Sequence, residues 1–209
     1  MMRLGVVILL LVTCAPACSS ADAEYGVPVE ACGLVDPATV AALADGLTGT
    51  TPRQEPVRTL TDRVDVIECR HEFGGPDTVS IPPYDELAPD TPGTPAYRYT
   101  SVTAMRFHEV DDESGTDIAR HFLASDPQEK VPNLAGLGLD DGDIGQRLNG
   151  VASYTRIRAV DANLVLVIDY GGANSDAKPA GLPADVRRAG ALRLLADAAA
   201  RLPCPEPDC

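Results

Sequence analysis

The chain has 209 residues, 44% of them hydrophobic, only 4% aromatic and none of them Trp, so a single domain's core must come from Val, Leu, Ile and Ala. Its 31 acidic against 17 basic side chains give a formal net charge of −14. Such a surface repels the phosphates of nucleic acids and anionic lipid head groups, which excludes nucleic-acid binding.

The N-terminus reads as an export signal. Arg3 precedes the apolar run Leu4–Thr13, and Cys14-Ala15-Pro16-Ala17-Cys18 follows. The uncharged stretch continues to Ala21, but Pro16, Ser19 and Ser20 weaken its far end. Ten strongly apolar residues suit a signal core better than a bilayer span. A cysteine just after the cleavage point indicates a lipoprotein. Ala17 before Cys18 fits a narrow protease pocket, whereas the β-branched Thr13 precedes Cys14. Parity agrees. Cleavage before Cys18 leaves Cys32, Cys69, Cys204 and Cys209 to pair, while cleavage before Cys14 strands Cys18 as an odd thiol. Lipidation is expected at Cys18, with Cys14 as the alternative. Multiple acyl chains would then hold the protein to a membrane. The organisation expected is a signal peptide at 1–17 and a lipidated cysteine with a flexible tether at 18–30. An α+β domain follows at 31–203, and a Cys-containing tail at 204–209.

Asp36-Pro37 followed by Gly46 marks a short helix, with Asp36 as cap, Pro37 at the first position and Gly46 at the exit. Arg63–Phe73 alternates as a strand, with Val64, Val66, Cys69 and Phe73 inward and a phase slip near Ile67. The stretch 74–96 holds six prolines and no apolar period, so it reads as a Pro-rich insertion. Ala96–Val110 is a long strand. Ser114–Ser125 is a helix capped by Ser114 or Thr116 and stopped by Asp126-Pro127, with Ile118, Phe122 and Leu123 on one face. Leu134–Ile144 is a Gly/Asp-rich bend. Val151–Val160 and Asn163–Tyr170 are strands joined by a tight Asp161-Ala162-Asn163 turn. The continuous run Leu164–Ile168 predicts a central strand buried on both faces. A last helix spans about Pro183–Leu202. Val186, Ala189, Leu192, Leu195, Ala196, Ala199 and Leu202 face inward, and Arg187, Arg188, Arg193 and Asp197 outward. Helices separated by hairpins predict an α+β fold, an antiparallel sheet with helices packed on it as a two-layer sandwich.

The segment Cys32-Gly33-Leu34-Val35-Asp36-Pro37-Ala38-Thr39-Val40-Ala41-Ala42-Leu43 and the bend Gly136-Leu137-Gly138-Leu139-Asp140-Asp141 resemble actinobacterial lipoproteins of the domain of unknown function 3558 (DUF3558) family. The order of strands and the final helix fit as well, over residues 31–202. The family's Trp after the second cysteine is missing, and the insertion at 74–96 and the C-terminal tail depart from its pattern. Four mature cysteines permit three connectivities. The resemblance implies Cys32–Cys69, which leaves Cys204–Cys209; the alternative links Cys32 or Cys69 to the tail. Disulfides are favoured over metal because the compartment is oxidising and no Cys-x-x-Cys occurs. The family carries no established activity.

Catalytic and metal signals are weak. Asp140-Asp141-Gly142-Asp143 offers hard oxygen ligands for calcium, but it lacks EF-hand spacing and a distal Glu, so a solvated bend is expected. His71, His108 and His121 form no His-x-x-x-His, there is no Gly-x-Ser-x-Gly, and Gly136-Leu137-Gly138 lacks the third glycine of a nucleotide loop. The expected function is a non-enzymatic binding or accessory module, lipid-anchored at the extracytoplasmic face of the cell membrane. It needs no cofactor and takes an envelope protein or small ligand as partner, with the Pro-rich insertion as contact surface. The alternatives are an envelope hydrolase or metal-dependent enzyme using His71 or His108, and an extracytoplasmic sensor domain.

Overall fold

The run Leu164–Ile168 sits in the middle of the sheet, as its uninterrupted apolar character demands: Leu164, Val165, Leu166 and Ile168 are all fully or almost fully buried. The computed structural model of the chain describes residues 24–49, 52–74, 96–149, 152–174 and 181–205. The central strand is β9 (Leu164–Ala173). Before it come β1 (Thr48–Gly49), β2 (Arg53–Gln54), β3 (Arg58–Leu60), β4 (Val64–Gly74), β5 (Tyr97–Phe107), β6 (Glu129–Lys130), β7 (Asp141–Asn149) and β8 (Ala152–Asp161). Among the described residues these nine strands form one antiparallel sheet in the order β1-β4-β5-β9-β8-β7-β6, with β2 and β3 also paired to β4. The helices are α1 (Pro37–Leu43), α2 (Gly115–Ala124) and α3 (Ala184–Ala199). The fold is therefore α+β, as the alternation of hairpins and helices predicts.

Strand alternation sorts the side chains onto two faces. One face presents Val102 and Ala104 of β5, Leu164, Leu166 and Ile168 of β9, and Ile157 and Ala159 of β8. Ala191, Leu194, Leu195 and Ala198 of α3 close over it, and α1 lies against α3. This is the two-layer sandwich. The other face is apolar only at one end, where Val64, Val66, Phe107, Val160 and Val165 meet Ala119 and Leu123 of α2.

The α3 stripe corrects the expected phase. Arg187, Gly190, Ala191, Leu194, Leu195 and Ala198 are buried, while Val186 is 43% exposed. Small residues decide the matter. Gly190 lets the helix approach until a Cβ there would lie 2.3 Å from the Tyr170 ring. Arg187 enters because its guanidinium finds Gln146 Oε1 at 2.8 Å and the carbonyl of Leu182.

The caps fall where the residue types place them. Asp36 accepts from the Ala38 amide at 2.8 Å, Ser114 accepts from the Asp117 amide at 3.1 Å, and Gly46 has φ +78°. The β8–β9 turn holds Ala162 at φ +51° and buries Asn163, whose amide donates to the Phe107 carbonyl at 2.9 Å. No phase slip occurs at Ile67. The β4–β5 register runs unbroken from Val64↔Phe107 to Gly74↔Tyr97, and the apparent slip arises because β4 is buried on both faces. The long strand from Ala96 ends at Phe107, and Val110 instead bridges Glu113 in a turn. The bend expected across Asp140–Ile144 gives way to β7 from Asp141.

Cys32 and Cys69 form a disulfide, with Cα atoms 4.9 Å apart and a sequence separation of 37. It ties the short helical turn Ala31–Leu34 to β4, and Cys69 is fully buried. Closing a loop of that length stabilises by ~3–4 kcal/mol in the chain-entropy account. Cys204 is also disulfide-bonded. Cys14, Cys18 and Cys209 lie outside the described residues, as do the segment 1–17 expected to be an export signal and nearly all of the 74–96 insertion.

Within the stretch expected as a flexible tether at 18–30, the chain is packed against the domain from Glu24 onward. Tyr25 is 4% exposed, and its amide donates to Asn163 Oδ1 at 2.7 Å. Its hydroxyl meets the Asp161 carboxylate, and Glu24 accepts from the Thr116 amide at 3.0 Å. Val29 and Leu34 complete the seam.

Candidate functional site

The α2-bearing face changes character along its length. Successive cross-strand rows, read from β4 through β5 and β9 to β8, pass from Val66, Met105, Val165 and Val160 to Glu68, Thr103, Val167 and Arg158. The next row is Arg70, Ser101, Asp169 and Arg156. The one after that is Glu72, Tyr99, Gly171 and Tyr154. The antiparallel register sets these residues side by side, with neighbouring strands about 4.8 Å apart. A polar ladder therefore crosses the four longest strands, beside rather than beneath α2.

Two arginine–carboxylate pairs frame it. Arg156 grips Asp169 with two bonds, Nε to Oδ1 at 2.8 Å and Nη2 to Oδ2 at 2.7 Å. Arg70 donates to Glu68 Oε1 from Nη2 at 2.9 Å and from Nε at 3.3 Å, and the Ser101 hydroxyl donates to the same oxygen at 2.8 Å. Each guanidinium lies over a ring, Arg70 5.6 Å from the Tyr99 centroid and Arg156 5.4 Å from that of Tyr154. The carboxylates form the floor and the guanidiniums the rim. Side-chain exposure is 9% for Asp169 and 14% for Glu68, against 36% for Arg156 and 43% for Arg70.

Electrostatics follow from that layering. Burial pushes the Tyr99 phenol up to about 12, against the pull of Arg70. Burial also raises the Asp169 carboxyl above its ordinary value, opposed by the bonds from Arg156. The hydrogen bond to Asp169 raises Arg156. Tyr99 thus stays a neutral phenol and the arginines stay cationic, so the ladder offers fixed donors and acceptors with compensated charge.

The histidines are not brought together. His71 is buried on the opposite face, parallel to the Phe73 ring at 6.5 Å, and burial lowers its pKa. His108 Nε2 lies 3.0 Å from Asp65 Oδ2, six residues back along β4, which is roughly 20 Å from His71. Asp65 also accepts from Arg106 Nη2 at 2.6 Å and Thr59 Oγ1 at 2.8 Å. Burial works to raise Asp65, but those bonds and His108 outweigh it and hold the carboxyl below its usual value. His121, on exposed α2 surface, pairs with Glu113 at 2.6 Å. Among the described residues, no three His, Cys, Asp or Glu side chains gather as metal ligands.

The Asp140–Asp143 acids disperse in the same way. Asp141 pairs with Lys130 at 2.7 Å, and Asp143, 3% exposed, turns in to Arg158 Nε at 3.0 Å. The ladder itself escapes sequence reading, because Arg70, Ser101, Arg156 and Asp169 come from four separated strands. Its available signal is a polar residue at alternate positions of otherwise buried strands: Tyr154, Arg156 and Arg158 in β8, and Asp169 after five apolar residues in β9.

No protein-family model, no curated protein and no solved structure matches this chain.

Proposed function

We propose that the chain is a lipid-anchored extracytoplasmic module of the DUF3558 type, held at the cell membrane through Cys18, that binds a ligand on the polar ladder. The observation that carries this reading is the buried Cys32–Cys69 disulfide. Such bonds persist in oxidising compartments, where an export signal ending at Cys18 would deliver the chain. The ladder supports binding rather than turnover. Its acids are each held by an arginine, and His71 and His108 lie roughly 20 Å apart along β4.

The test is detergent-phase partitioning of the chain expressed in a host that lipidates exported proteins. The parent chain should enter the detergent phase, Cys18→Ser should move to the aqueous phase, and Cys14→Ser should behave as the parent. Release by Cys14→Ser alone would transfer the anchor to Cys14. A parent chain that stays aqueous would refute the anchor altogether.

A further inference from the structure

We propose that the Arg70–Ser101–Asp169–Arg156 row, with Glu68 beneath it and Tyr99 and Tyr154 beside it, binds an uncharged, hydroxyl-rich ligand: a neutral carbohydrate chain. The inference deepens the binding role proposed above and rests on it, but it is independent of the lipid anchor.

Charge within the row is already balanced. Arg70 and Arg156 are each answered inside the site by Glu68 and Asp169. An anionic ligand would gain the two guanidiniums and meet the two carboxylates, on a chain already at −14. A cationic ligand would meet the arginines at the rim first. The row therefore selects against net charge of either sign.

Hydrogen-bond valence points to the hydroxyl. Both arginines spend Nε and Nη2 on their carboxylates, which leaves each Nη1 outside those pairings. Glu68 takes Arg70 and Ser101 on Oε1, which leaves its Oε2 outside those bonds. Donors and acceptors thus alternate across the row. A hydroxyl is the group that donates to a carboxylate oxygen and accepts from a guanidinium at once. An array of hydroxyls, as on a sugar ring, can answer several of these positions together.

Shape agrees with chemistry. The row lies across antiparallel strands, so its groups are spaced by the sheet rather than by a loop, about 4.8 Å from strand to strand. In the adjoining row Gly171 separates Tyr99 from Tyr154, so no side chain projects between the two rings. The arginines are clamped at both ends by ring and carboxylate, which keeps the ordering cost of binding low.

The test is calorimetric titration of the detergent-solubilised full chain with neutral gluco-, manno-, galacto- and arabino-oligosaccharides. At least one should bind, with affinity changing less than about twofold between low and high salt, since no charge pairs form across the interface. Arg156→Met should weaken binding by about tenfold or more. That variant leaves Asp169 buried and unpaired, so Arg70→Gln, at the more exposed pair, provides the second reading with the same expected loss. Arg193→Gln, on the exposed side of α3, should bind as the parent does. The inference is overturned if no neutral oligosaccharide binds at millimolar concentration. It is also overturned if a uronic-acid or phosphorylated chain binds in preference, or if both ladder variants bind as the parent does. Sugar binding by a chain that stays in the aqueous phase would refute the anchor and leave this inference standing. The reverse pair of outcomes would do the opposite.

Discussion

At the scale of single residues, burial and pairing set how the protein answers to acid. His71 is 9% exposed between Phe73 and the Thr100 position of β5, and burial lowers its pKa. The unfolded chain therefore takes a proton near the ordinary value of about 6.5, while the folded chain still refuses it. Stability is full above that value and falls as pH drops through the window down to the lowered folded value. Denaturant midpoints measured from pH 7.5 to 5 should show this decline, and His71→Gln should flatten it. An unchanged slope in the variant would assign the decline to another group. Asp65 works lower on the scale. Its folded pKa is depressed, so its contribution is present above about 3.9 and disappears as pH falls further. The two effects begin at different pH, near 6.5 for His71 and near 3.9 for Asp65.

At the scale of elements, α2 is held by a buried ion pair that the chain pattern disguises. Arg158 of β8 reaches Asp143 of β7, and its Nη2 also donates to the carbonyls of Leu123 and Asp126 at the end of α2. A cation there satisfies carbonyls that the helix leaves open. Side-chain exposure is 8% for Arg158 and 4% for Asp143, so removing one partner strands a buried charge. Asp143→Ala should destabilise the protein by about 3–5 kcal/mol. Replacing both, as Asp143→Leu with Arg158→Met, should cost about 2 kcal/mol less than the single change, because no buried charge is left unpaired. Chemical denaturation of the three proteins checks this. The same pair explains a strand that residue types hide. Asp-Asp-Gly-Asp reads as a turn because these residues favour turns locally, yet Asp141 and Asp143 find Lys130 and Arg158 and extend β7. By contrast, α1, α2, β8 and β9 are legible because cap, turn and apolar run all act locally. The short β1, β2 and β3 carry no period of their own and exist by pairing with β4, with Pro52 and Pro56 interrupting the edge. The ladder is hidden for the same reason, since only the register of four strands assembles it.

At the scale of the whole molecule, the chain enters at one end of the sheet and the ladder lies toward the other. Glu24 and Tyr25 are fastened to Thr116 at the start of α2 and to the β8–β9 turn. Asp169 stands five residues along β9 from Leu164, and Arg70 stands six along β4 from Val64, so the row is roughly 17–20 Å from that end. Five residues separate Cys18 from Glu24, giving a reach of roughly 20 Å when extended. If Cys18 carries the proposed lipid, the end bearing Glu24 would face the bilayer and the ladder would face away from it. The net charge of −14 acts the same way, because an acidic body stands off an anionic surface. Energy transfer to a lipid-borne acceptor reads this orientation directly. A dye on Asp112→Cys, in the turn before α2, should be quenched strongly in vesicles carrying the anchored protein. A dye on Thr48→Cys, opposite Gly74 at the far end of β4, should be quenched weakly. The two sites lie at opposite ends of an eleven-residue strand, a span of roughly 35 Å. Equal quenching would mean that the domain lies flat or tumbles freely on its tether. A stronger signal from Thr48→Cys would turn the ladder toward the membrane and overturn this orientation.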